Sequence, residues 1–106
     1  MHVYIEPTTH TVSCLPPSHR ARRHYTLTIE LRNPHAGLWA VCRDGGCYDV
    51  DGNWEFEAST TNRDDAFKAR FRFPFDQARI LAIRIAPTLE CNGHPVKHAL
   101  AHPDWS

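Results

Sequence analysis

The stretch YTLTIELRNPHAGLWAVCRDGGCYDVDGNWEFE, residues 25–57, decides the fold. Tyr25, Leu27, Ile29 and Leu31 alternate with Thr26, Thr28 and Glu30, a period of two that sets the apolar side chains on one face of a strand. NPHAG (33–37) supplies a turn, and Leu38–Arg43 reads as a second strand. Asp44-Gly45-Gly46 is a tight connection whose glycines accept positive φ. Cys47–Val50 and Asn53–Glu57 give two further short strands around the Asp51-Gly52 turn. Trp54 and Phe56 face one side of the last of these, Glu55 and Glu57 the other. The middle of the chain is thus predicted to be a β-meander.

Working outward, residues 58–63 (ASTTNR) form a polar break. Phe67, Ala69, Phe71 and Phe73 then alternate with Lys68, Arg70 and Arg72 as in a strand. Asn62 as a cap, with Asp64 and Asp65 in the first turn, favours instead a short helix over 63–69 followed by an extended FRFP. From Phe75 to Ala86 the apolar residues Ala78, Leu81, Ala82 and Ile85 fall at i, i+3, i+4 and i+7, which predicts a helix stopped by Pro87. Its β-branched residues Ile80, Ile83 and Ile85 keep a strand alternative open. Asn92-Gly93 marks a turn, after which Pro95 opens a second short helix that ends before Pro103. Toward the N-terminus, HVYIE (2–6) suits a short strand, and Pro7–Arg23 reads as irregular. The expectation is one α+β domain over 1–106: an antiparallel meander packed against one main helix, with a short C-terminal helix and a partly irregular arm over 1–23.

Composition narrows the function classes. A chain of 106 residues suits one domain, and 42% hydrophobic with 10% aromatic residues excludes wholesale disorder. Twelve Lys+Arg balance twelve Asp+Glu, so no global field draws the chain to nucleic acid or acidic membranes. The N-terminus lacks a secretory pattern, and the most apolar run, ILAIRIA, is interrupted by Arg84. A cytoplasmic protein without membrane contact is expected, in which Cys14, Cys42, Cys47 and Cys91 are free thiols, small core residues or metal ligands.

The strings GLWAVCRDGGCYDVDGNWEFE, NRDDAFKARFRF and IAPTLECNG together resemble small uncharacterised proteins of actinobacteria and their phages, over roughly residues 12–100. The resemblance implies a phage or host accessory role and assigns no activity, cofactor or site residue.

Several constellations bear on chemistry. Cys42 and Cys47 flank the hairpin turn, and Cys91 with His94 lies where a helix begins, an arrangement similar to a treble-clef zinc site. The hairpin pair departs from that pattern by being C-x4-C rather than C-x2-C, and buried small thiols explain the same residues. No cofactor is the first expectation and zinc the second. His94, His98 and His102 recur every four residues without an H-E-x-x-H pattern, as exposed histidines on a short helix also would. Asp49, Asp51 and their neighbours approach a calcium loop, but Trp54 occupies its glycine position, so hairpin turns account for them. HRARRH (19–24) offers Arg20, Arg22 and Arg23 to nucleic acid, against the neutral overall charge. On the 75–86 helix, Ile80 and Ile83 lie opposite the core stripe, flanked by Arg79 and Arg84. A helix apolar on two sides needs a cover, either the chain's own arm or last helix, or a protein partner. Serine-nucleophile, phosphate-loop and dinucleotide motifs do not occur. The expected function is therefore a non-enzymatic accessory protein acting through protein contacts, with a protein partner or a homodimer. The alternative is a zinc-stabilised module touching nucleic acid.

Overall fold

The structure, a computed structural model, describes residues 1–57 and 65–104. Five strands form one antiparallel sheet in chain order: β1 (Thr9–Ser13), β2 (Thr26–Asn33), β3 (Leu38–Arg43), β4 (Gly46–Tyr48) and β5 (Trp54–Phe56). The meander follows from the shortness of its links. Gly37 closes a 3-10 turn over Pro34–Ala36 in the left-handed region at φ 64°. Asp44 and Gly45, at φ 51° and 80°, make the two-residue turn between β3 and β4. Two successive residues at positive φ give the turn whose twist matches a β-hairpin. After β5 come helices α1 (Asp65–Phe71) and α2 (Phe75–Ile85), a 3-10 turn over Ala86–Thr88, the small hairpin β6 (Glu90–Cys91) and β7 (His94–Pro95), and helix α3 (Val96–Ala101).

Alternation along the strands divides the interior into two clusters. Leu27, Ile29, Val41 and Tyr48 face α2, where Ala78, Leu81, Ala82 and Ile85 form the buried stripe. Leu15, Tyr25, Leu89, Val96 and Ala99 complete this larger core. The Tyr25 hydroxyl donates to the His94 carbonyl at 2.9 Å, which carries the β6–β7 hairpin onto the sheet. On the opposite face Ala40, Cys42, Cys47 and Phe71 form a smaller cluster with Phe67 packed against it. The link between the helices is fastened by Trp39 and Phe73, whose backbones exchange hydrogen bonds at 2.7 and 2.9 Å.

The meander, the 75–86 helix with its buried face, and the C-terminal helix agree with the sequence pattern. The expected strand at HVYIE does not form. Residues 2–6 are exposed, and the added strand is β1, in the segment expected to be irregular. Thr and Ser dominate β1 and only Val12 is apolar, a composition that suits an edge strand while hiding its period of two. Helix α1 is described from Asp65 to Phe71, so it reaches two residues past the expected end. The proposed cap Asn62 and the first-turn Asp64 lie outside the described residues. No helix among the described residues is long and apolar enough to cross a membrane.

Candidate functional site

Two places combine unusual exposure or unusual chemistry. The first is the outward face of α2. Ile80 and Ile83 are 58% and 54% exposed, as expected of residues opposite the core stripe. A groove of about 110 Å³ runs beside them, lined by Val50, Phe73, Gln77, Ile80, Leu81 and Arg84. The Arg84 guanidinium donates to the Val50 carbonyl at 3.0 Å, tying α2 to the loop before β5, and Arg79 is exposed on the same helix. Neither the arm nor α3 covers Ile80 and Ile83. The arm itself is uncovered, with Val3 82% and Ile5 94% exposed and Tyr4 exposed between them.

The second place is the smaller cluster. Cys42 and Cys47 are direct cross-strand partners on β3 and β4, and their sulfurs lie 3.7 Å apart. Thr28 precedes them and Glu55 follows them in the same row across the sheet. Arg32 Nη2 approaches Cys42 Sγ at 3.5 Å. The same guanidinium bonds Glu30 at 3.1 Å and Glu57, while the fully buried Arg72 reaches Glu57 at 3.2 Å. Thr28 Oγ1 donates to the other Glu30 oxygen at 2.7 Å. Two cations and two anions thus cancel beside the thiols, as charges removed from water require. The two sulfurs titrate as a pair. The hydrogen bond from Cys42 lowers the Cys47 thiol below its ordinary value, helped by Arg32 and Arg72, whereas that bond and burial push Cys42 up.

The four residues proposed for zinc fall into two separate pairs. Cys42 and Cys47 belong to the smaller cluster, while Cys91 packs against the larger core and faces His94 across the β6–β7 hairpin. Among the described residues no group of three or more His, Cys, Asp or Glu is placed to hold a metal ion. His98 of α3 stacks between His94 of β7 and the C-capping His102, with ring centroids 4.3 Å apart for His94–His98 and 4.4 Å for His98–His102. Nitrogen lone pairs lie in the ring plane, so near-parallel rings aim them side by side rather than at one point. Partial burial, then the neighbouring His102 and His94, lower the pKa of His98.

Basic residues of the HRARRH run go different ways. Arg20 and Arg23 are exposed, but Arg22 Nε donates to the Leu15 carbonyl at 3.1 Å. His19 is buried and structural: its Nδ1 accepts from the Ala21 N–H at 3.0 Å, so Nε2 carries the proton donated to the Ala99 carbonyl at 2.7 Å. Asp49 accepts from the N–H groups of Asp51 and Asn53, both at 2.9 Å, which shapes the hairpin turn read from the sequence there. Those bonds, led by that from Asn53, lower its carboxyl pKa.

Sequence reasoning found the α2 face but missed the ion network around the thiols. The signal lay in β2, where Glu30 and Arg32 alternate away from Leu27 and Ile29, and in the two-residue turn, which makes C-x4-C a cross-strand pair. Comparison with known proteins gives no match: no family model fits the chain, and no curated protein or solved structure is similar to it.

Proposed function

We propose that this protein is a cytoplasmic accessory protein that works through protein contact, and that its first partner is a second copy of itself. The observation that carries this reading is a matched pair of uncovered apolar elements on one chain. The arm presents Val3, Tyr4 and Ile5, and α2 presents Ile80 and Ile83 beside a groove. Contiguous apolar surface of this kind is ordinarily covered. Charge agrees with the match, since Glu6 follows the apolar run of the arm and Arg79 and Arg84 flank the receiving face. A two-fold exchange uses the arm-to-groove contact twice, so modest elements double their buried area without exposing a new surface.

Sedimentation velocity over a concentration series tests the reading. The wild-type chain is expected to sediment as a dimer, and both Ile83→Asp and deletion of residues 2–6 are expected to shift it to a monomer. A wild-type monomer throughout the series overturns the proposal. So does a dimer that ignores both changes, because its interface then lies elsewhere.

A further inference from the structure

We propose that Cys42 and Cys47 form a redox couple, which a peroxide closes into a cross-strand disulfide. The site is independent of the α2 face, since it lies on the opposite side of the sheet. Geometry selects the pair. Counting outward from the two-residue turn, Arg43 and Gly46 close the hairpin and Cys42–Cys47 is the next pair. A pair at that register is of the non-hydrogen-bonded kind, with Cα atoms about 4.5 Å apart. That separation falls within the range of about 4.4–6.8 Å spanned by disulfides. The sulfurs already touch at 3.7 Å, so closure needs side-chain rotation and no movement of the strands.

The surroundings favour oxidation over metal capture. Two soft donors are present, but the nearest carboxylates are engaged: Glu57 by Arg32 and Arg72, Glu30 by Arg32 and Thr28. The hydrogen bond from Cys42, with smaller help from Arg32 and Arg72, favours a thiolate on Cys47, the form that attacks peroxide. Cys42 is 7% exposed and Cys47 is fully buried, which favours a small oxidant over a bulky one.

The reaction balances. The thiolate attacks one peroxide oxygen, the O–O bond breaks, and the departing hydroxide takes a proton to leave as water. The resulting sulfenic acid is then attacked by the second thiol, which gives up its proton as the S–O bond breaks and a second water leaves. Two sulfurs lose two electrons in total, and one peroxide is reduced to two waters.

The test treats the full-length reduced protein with one equivalent of hydrogen peroxide, then quenches, alkylates under denaturing conditions and maps the peptides. The expected product joins the Cys42 and Cys47 peptides, is reversed by dithiothreitol, and forms about tenfold faster than any oxidation of the exposed Cys14. Oxidation of Cys14 first, separate sulfinic acids on Cys42 and Cys47, or a pair left reduced overturns the proposal. So does protection of both thiols by stoichiometric zinc, which marks a metal site instead. In Cys42→Ser the resolving partner is gone, and dimedone should trap a sulfenic acid on Cys47. No adduct there counts against the mechanism, and the wild-type map decides the matter if that variant fails to fold.

Discussion

Replacing Phe71 by alanine removes the side chain that holds α1 against the thiol face. Phe71 is fully buried, stacks on Phe67 with centroids 4.5 Å apart, and is the largest member of a cluster whose other buried residues are Ala40, Cys42 and Cys47. Truncating a buried Phe to Ala costs about 3–5 kcal/mol, by lost transfer energy and by the cavity left behind. The described part of α1 has 7 residues, and isolated helices below about 12 residues are marginal in water, so little intrinsic helix stability replaces the lost contact. At about 4 °C per kcal/mol for a domain of this size, the melting temperature should fall by about 12–20 °C. Because the larger core does not contain Phe71, the sheet and α2 should survive at 10 °C while α1 opens over the thiols. The assay is thermal melting together with the rate at which Cys42 and Cys47 react with an aromatic disulfide reagent in the cold. Melting lowered by less than about 3 °C, with thiol rates unchanged, would refute the packing argument.

Two more outcomes follow from local geometry. Gly46→Ala should cost at least about 1–3 kcal/mol in denaturant unfolding, because an added Cβ meets the Trp54 indole at 2.2 Å and the Glu55 carbonyl at 2.6 Å; a neutral result contradicts the β4–β5 pairing. Stability of α3 should depend on pH through His98, whose pKa in the folded chain lies below its ordinary 6.5. The unfolded chain then binds more protons in mild acid, so this contribution is complete above about pH 6.5 and is lost as pH falls through the lowered value. Helical chemical shifts of Val96–Ala101 should therefore weaken between about pH 7 and 5 in the wild type and less so in His98→Gln; pH-invariant shifts would count against the stacked arrangement.

The fold was legible where a period was clean. Leu27 and Ile29 on β2, and Ala78, Leu81, Ala82 and Ile85 on α2, are buried where their spacing placed them. The turns at Asp44-Gly45 and Asn92-Gly93 adopt the positive φ their residues favour. Strand β1 was hidden because an edge strand needs little apolar surface, and its stability comes from pairing with β2 rather than from side-chain burial. HVYIE misled for the converse reason: Val3, Tyr4 and Ile5 have strand character, but no strand among the described residues pairs with them. The face of Ile80 and Ile83 could be read from helical spacing alone. The thiol site could not, since Arg32, Glu57 and Arg72 meet only through the register of the sheet and the placement of the segment that follows β5.

The central claim is that the arm of one chain lies on α2 of another, and the most direct measurement is an isotope-filtered NOE experiment. Labelled and unlabelled protein are mixed in equal amounts, and only contacts between different chains are recorded. Cross-peaks from the methyl groups of Val3 and Ile5 to those of Ile80 and Ile83 are the expected result. A dimer that shows no intermolecular peaks at Ile80 or Ile83 would contradict the account.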